Sequence, residues 1–299
     1  IEQETGTKKL ETILRTQVAN QTLLGCRFDK EGNTIPFIGT QVHGYTLEHA
    51  CGIKPNSDKN GDIFGIELKS FTRKKLTLFT PEPDAGLYKE DFSLFMTTYG
   101  YEKEGAYRLT GLHRAYKENT KSQLTLKITC QHAVKDKDAI TGKKRVQYIP
   151  SYYNPEMPIT RQMTDMKVIL EDRSGNIAAS WSLERLLNCW GAKHNEVVYV
   201  PAEKLENDDQ ESLIEGYKWK VKFNDTVLWC HKTNAEKLFQ AIHNGTVYLD
   251  PAPKYCPHSP KDNKRRSQWR INDIYKASDD LYEEVNLVTL VKYAYKGSI

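Results

Sequence analysis

A chain of 299 residues with 38% hydrophobic and 27% charged residues is long enough to bury a sizeable core, in one large domain or in two lobes. Its five Trp, seventeen Tyr and nine Phe exclude global disorder, and no apolar run approaches the ~20 residues that span a bilayer. A net charge of +4 permits nucleic-acid binding without demanding it.

The first residues, IEQETGTKKL, are polar and show no signal-peptide pattern, although a chain that opens without Met leaves an earlier segment open. Leu10, Ile13, Leu14, Val18 and Leu23 fall near helical spacing, which predicts a helix over 8–24 stopped by Gly25. Thr46 is placed to cap a short helix from Leu47 to Cys51, closed by Gly52. Residues 66–72 (IELKSFT) and 122–130 (SQLTLKITC) alternate as strands do. Residues 167–181 form a hairpin pattern around the turn DRSGN. Ser182 caps a helix carrying Leu183, Leu186, Leu187 and Trp190, and VVYV (197–200) reads as a buried strand. The charged stretch 201–213 is the best linker, and 135–145 an exposed loop. A second hairpin is expected over 216–230, turning at Asn224-Asp225. Asn234 caps a helix to His243, TVYLDP follows as a strand, and a last helix starts near Asn272. Strands and helices mix without strict alternation, so the expected fold class is α/β or α+β, with a mixed β-sheet flanked by helices.

The six cysteines are scattered without a CxxC pair, as in a cytoplasmic protein with reduced thiols. Two Cys-x-His pairs, Cys130/His132 and Cys256/His258, leave open a zinc-stapled structural module.

The segment that carries chemistry is Gly61-Asp62-Ile-Phe64-Gly65-Ile66-Glu67-Leu68-Lys69-Ser70. In a strand Glu67 and Lys69 share one face, while Ile66 and Leu68 take the other. A kink at Phe64-Gly65 returns Asp62 to the same edge. Two carboxylates beside one ammonium suit a hard cation such as Mg²⁺, which keeps one or two protein carboxylates and fills its octahedron with water and phosphate. Asp62, Glu67 and the Leu68 carbonyl are the candidate metal ligands. Lys69 is placed to orient the attacking water.

This pattern resembles the PD-(D/E)xK nuclease core. More narrowly, Gly44-Tyr-Thr-Leu-Glu48-His-Ala-Cys-Gly52-Ile-Lys-Pro-Asn56, followed by Asp62-x4-Glu67-Leu-Lys69, resembles the MvaI/BcnI family of type II restriction endonucleases, which shares its layout with the nickase MutH. A second block, Trp181 to Ala202, and a weaker third, Phe239 to Arg270, are similar as well. The Pro often found before the metal Asp is Gly61 here. The resemblance implies a restriction-endonuclease-like core over 1–200, with an inserted segment around 100–160, and a C-terminal DNA-recognition lobe over 201–299. It implies a monomer that cuts double-stranded DNA with one or two Mg²⁺ ions, leaving 5′-phosphate and 3′-OH ends. It makes Glu48 an accessory acidic residue of the catalytic group, and Glu184 and Lys193 supports of the core. Candidate DNA contacts are Lys264, Arg265, Arg266 and Arg270, braced by Trp269, with His258 and His243 nearby. A strand-specific nickase, a methylation-dependent endonuclease and a DNA-binding protein without activity stay open as alternatives.

Overall fold

The computed structural model describes residues 5–55, 61–191 and 193–291. Asn56 and Ala192, which belong to the two motif blocks, lie outside the described residues. The chain forms two compact units, each assembled from separated segments: Ile1–Lys75 with Ala192–Thr233 and Tyr282–Ile299, and Leu76–Gly191 with Asn234–Leu281. The expected division at residue 200 is not the one the chain makes. Residue 200 falls inside the strand Glu196–Glu206, which the sheet of the first unit pairs on both edges, so no boundary can run there.

In the first unit the long strand Glu196–Glu206 organises a mixed sheet. It pairs in parallel with Glu67–Phe71 and antiparallel with Trp219–Phe223 and Thr226–His231. Thr22–Leu24 and Glu284–Thr289 extend the sheet at its ends. Two expectations fail here. Residues 201–206 are sheet rather than linker. The strands at 219–223 and 226–231 do not form a hairpin with each other; each pairs with a different half of Glu196–Glu206. VVYV is buried as expected.

Helix Gly6–Gln17 is capped by Thr5, whose hydroxyl accepts from the Lys8 N–H. It stops earlier than its apolar spacing predicts, because Asn20 turns left-handed (φ 57°) and the chain enters a strand that carries Leu23. Helix Val42–Ala50 starts earlier than predicted. Thr46 is interior, not a cap: its hydroxyl donates to the Val42 carbonyl and accepts from the Cys26 N–H. Leu10, Leu14 and Leu47 from these helices pack with Ile66, Leu68, Val198, Val200 and Trp229 from the sheet. Burying side chains of this size stabilises by about 1.5–3 kcal/mol each.

In the second unit a four-stranded antiparallel sheet runs in the order Ile177–Ser182, Lys167–Glu171, Thr125–Lys137, Lys144–Tyr152. The first pair is the predicted hairpin, and Ser182 caps helix Leu183–Trp190 by accepting from the Arg185 N–H. The exposed stretch 135–145 is the end of a β-hairpin rather than an irregular loop. Strand Ser267–Ile271 lies between Tyr248–Pro251 and Leu76–Phe79. Trp181 and Trp269 meet edge to face at 5.3 Å, and Trp190 packs on Phe79. Asn234 caps helix Ala235–His243 as predicted. Among the described residues no helix is long and apolar enough to cross a membrane.

Candidate active site

The chemistry-bearing segment opens with a tight turn. Phe64 and Gly65 both have positive φ (54° and 76°), the backbone that reverses a chain in two residues. Ile63 and Ile66 therefore bond to each other, and the Asp62 N–H donates to the Ile66 carbonyl at 3.0 Å. Gly61 stands at φ 93°, and a Cβ there would meet the Gly65 carbonyl carbon at 2.7 Å. A proline, fixed near about −65°, does not fit this position, so glycine here belongs to the turn as built.

The turn brings Asp62 back onto strand Glu67–Phe71, where its Oδ2 accepts from the Leu68 N–H at 2.8 Å. The strand register places Glu67 beside Val197 and Lys69 beside Tyr199, on one face, with Leu68 and Val198 in the core on the other. Lys69 Nζ reaches Glu67 Oε1 at 3.3 Å. Glu67 Oε2 is buried with no hydrogen-bond partner among the described residues. A buried carboxylate oxygen left bare costs on the order of 1–3 kcal/mol, more when charged, unless something satisfies it.

Glu48 comes from helix Val42–Ala50. Burial, and then the negative charges of Asp62 and Glu67, raise its carboxyl to about 7 against the pull of Lys69. Asp62 is also raised, first by burial and then by Glu67, while the Leu68 N–H, Lys69 and Lys193 act the other way. Three acids thus share a half-buried place, an arrangement that calls for a cation. Glu48 feels the other two without joining them in ligand geometry. Among the described residues no three Asp, Glu, His or Cys side chains converge as a metal-holding group. That leaves the four-ligand zinc reading without its site: Cys130 and His132 are neighbours on one strand at 4.0 Å, while the Cys256 thiol donates to the Asp262 carbonyl. A two-carboxylate Mg²⁺ site needs no third acid.

These shifts set a pH dependence. A carboxyl whose pKa is raised on folding is neutral at no cost at low pH, and stability is lost as pH rises through its folded value. With a chelator present, thermal stability should therefore fall from about pH 5 to about pH 7. Glu48→Gln should remove much of that fall, on the order of 1–3 kcal/mol at the alkaline end after solvent screening. Melting curves across this range check it; an unchanged slope in the variant would place the titration elsewhere.

Two features escaped the sequence reading. Beneath the acidic face lies a buried polar tier in which the Tyr199 and Tyr282 hydroxyls bond at 2.7 Å and His194 Nδ1 approaches Tyr282 at 3.4 Å. Burial, then Lys69 and Lys193, hold the His194 imidazole well below its usual range, so it is neutral. Residues 83 or more apart in the chain give no local pattern from which such a tier could be read. The second is a recess of about 290 Å³ next to Glu48 and Asp62, lined by Arg27, Tyr45, His49 and Lys54. Lys193 stands within electrostatic reach of Asp62, while Glu184 is an exposed first-turn residue of its helix rather than a core support.

The expected DNA contacts all lie in the second unit, where they divide into held and free. Arg270 is held: its Nη1 pairs with Asp250 at 3.2 Å and its Nε is buried. Arg265 lies over the rings of Phe92 (4.3 Å) and Tyr88 (5.5 Å). Trp269 is fully buried and braces this strand from the core side. His243 sits against Tyr116 and Tyr153, a packing position. His258 is exposed. Lys264 and Arg266 are exposed and line a recess of about 250 Å³ together with Arg108 and Lys254, two cations that the sequence reading did not single out.

No curated protein matches the chain. Among solved structures, a complex of restriction endonuclease MvaI with its cognate DNA substrate superposes with a TM-score of 0.62 at 16% identity, covering 96% of this chain and 99% of that one. MvaI in the absence of DNA gives a TM-score of 0.45 at 16% identity, over 97% and 100% of the two chains. The profile of the MvaI/BcnI restriction endonuclease family matches residues 15–282. With that match spanning nearly the whole chain, and with the mixed α+β fold shared with MvaI, the chain belongs to the MvaI/BcnI restriction endonuclease family, a family of type II site-specific deoxyribonucleases.

Proposed function

We propose that the chain is a Mg²⁺-dependent, sequence-specific endonuclease that acts as a monomer on double-stranded DNA and leaves 5′-phosphate and 3′-OH ends. The observation that carries this reading is the buried, unpartnered Oε2 of Glu67 beside Asp62 and Lys69. Asp62, Glu67 and the Leu68 carbonyl would hold the ion. When bound, Mg²⁺ stabilises charge at the scissile phosphate and eases deprotonation of the attacking water. The remaining work falls to the chain itself. The Leu68 N–H fixes one oxygen of Asp62, which holds that carboxylate in place. Lys69, steered by Glu67, orients the water for in-line attack and offsets charge on the phosphate. Glu48 adds negative charge as it ionises, or holds a proton below about pH 7. The test is digestion of a mixed-sequence plasmid with and without Mg²⁺, followed by mapping of the ends. Discrete fragments with 5′-phosphates support the reading. A plasmid left intact at every divalent ion tried would overturn it. Nicks on one strand only would favour the strand-specific alternative.

In this reading Lys264 and Arg266, with Arg108 and Lys254, face DNA, and His258 stands close by in sequence. Arg266→Ala should weaken binding to the cognate duplex. If the guanidinium reads a guanine edge, the loss is about 1–3 kcal/mol and preference relaxes at one base pair. If it touches phosphate, all sequences weaken alike and the salt slope drops by about one unit. Arg270→Ala should instead lower the melting temperature, because the ion pair with Asp250 is part-buried. Titration at several salt concentrations, beside melting curves, separates the two. Equal DNA effects without loss of stability for Arg270→Ala would make it a DNA-touching residue after all.

A further inference from the structure

The hairpin of Thr125–Lys137 and Lys144–Tyr152 extends past its sheet. The neighbouring strand Lys167–Glu171 pairs only with residues 125–129, and the Gln131 N–H makes a last bond to the Thr164 carbonyl. From the pair His132–Ile149 to the pair Lys137–Lys144 the register is unbroken, and among the described residues no other strand joins either edge. This is a two-stranded ribbon roughly 20 Å long. Its tip is tied down: Asp138 Oδ1 accepts from the Ile140 and Thr141 N–H groups, and Gly142 supplies the positive φ.

Alternation sorts the side chains onto two unlike faces. One carries His132, Val134, Asp136, Arg145, Gln147 and Ile149. Its charges cancel, since Arg145 forks onto Asp136 at 2.9 and 3.2 Å. The other carries Ala133, Lys135, Lys137, Lys144, Val146 and Tyr148: three ammonium groups and no carboxylate. None of these three lysines has an ion pair among the described residues, and Tyr148 beside them is 56% exposed.

A free ribbon is marginally stable in water, and this one keeps Val134, Val146, Tyr148 and Ile149 exposed. We propose that its lysine face is a docking arm for duplex DNA that grips the phosphate backbone. The inference rests on the reading that the chain acts on DNA. The charge is complementary to a polyanion with one charge per ~1.7 Å of axis. The residue types choose phosphate over bases: Lys is a point charge, while the groups that read base edges through a fork, Arg145 and Gln147, sit on the opposite face. A second copy of the chain is the poorer occupant, because pairing edge to edge would bring these lysines together.

The test compares a Glu67→Gln chain with the same chain carrying Lys135→Ala, Lys137→Ala and Lys144→Ala, titrated with two duplexes of unrelated sequence at several salt concentrations. The ribbon variant should bind both duplexes more weakly, and its salt slope should fall by about 0.9 for each phosphate that is no longer neutralised. Melting temperatures should agree, since the side chains removed are exposed. In the chain with its lysines intact, DNA should protect these three residues from an amine-acylating reagent. Equal affinities and slopes would overturn the inference while plasmid cleavage by the wild-type chain still upheld the nuclease reading. Self-association abolished in the ribbon variant, with DNA binding intact, would assign the face to a second copy and overturn it too. Failure of the wild-type chain to bind or cut any duplex would remove both readings together.

Discussion

Glu67→Ala and Asp62→Ala should each reduce plasmid cleavage to background while binding to the cognate duplex survives. On the proposed reading neither carboxylate reads a base, and both contribute negative charge where the phosphate would come. Losing one then removes a ligand of the ion together with part of the site's repulsion toward DNA, so binding in the absence of metal should stay equal or tighten. The two variants differ in stability. Glu67 raises the carboxyls of both Asp62 and Glu48, and its own Oε2 is buried without a partner. Removing it relieves two repulsions and one bare oxygen, so metal-free Glu67→Ala should melt at or above the wild-type temperature despite the small cavity. Asp62 instead holds the Leu68 N–H, and Asp62→Ala gives up a hydrogen bond worth on the order of 1 kcal/mol. Added Mg²⁺ should raise the wild-type melting temperature and leave both variants where they are. Cleavage at the wild-type rate by Glu67→Ala would remove the site assignment altogether.

The same residues show what the sequence made legible. Glu67, Lys69 and Asp62 lie within eight positions, so strand alternation and one tight turn are enough to bring them together. The core on the other side of that strand, Ile66 and Leu68, follows from the same alternation. Local capping was equally readable: Ser182 and Asn234 accept the N–H groups three residues on, as their side chains are made to do. Thr46, read as a cap, and the end of the first helix are local misses; the larger failures were non-local. Trp219–Phe223 and Thr226–His231 look like a hairpin because they are adjacent and separated by Asn224-Asp225. The buried strand between them in the sheet comes from about twenty residues earlier and takes both as partners. Charged side chains made 201–206 look like a linker, yet a strand whose end is solvated on both faces carries charges without leaving the sheet. The interleaving of the two units has the same origin. The chain leaves and re-enters the first unit, and no composition shift marks the crossings at 75, 191, 233 and 281. In the basic segment 264–270, sequence could count cations but not tell the exposed Arg266 from Arg270, which Asp250 holds.

Lys69→Ala should lower the cleavage rate by about 10³-fold with little change in DNA affinity, a loss of about 4 kcal/mol of transition-state stabilisation. The argument starts from its surroundings. Lys69 sits on the same strand face as Glu67, 3.3 Å from its Oε1, with the side chain only 21% exposed. Its charge is felt by Glu48, Asp62 and the buried His194, which makes it the central cation of an acidic cluster. A second cation, Lys193, also acts on Asp62, but it lies outside the strand and, among the described residues, forms no ion pair with Glu67 as Lys69 does, so it does not take over the position. The defect should appear in the rate of the chemical step measured in single turnover, not in the concentration of Mg²⁺ needed, because the carboxylates proposed to hold the ion are intact. Lys69→Arg should be a poor replacement. Its planar fork needs room on a face already filled by Glu67 and Tyr199, and a guanidinium does not give up a proton near neutral pH. Losing Lys69 should also push Asp62 and Glu48 to still higher pKa values, since it pulls both down, so the rate–pH profile of Lys69→Ala should move to alkaline pH. Lys69→Arg at full rate with an unshifted profile would reduce the lysine to a plain positive charge. A Lys69→Ala variant with normal turnover and weakened DNA binding would move it from the chemistry to the docking surface.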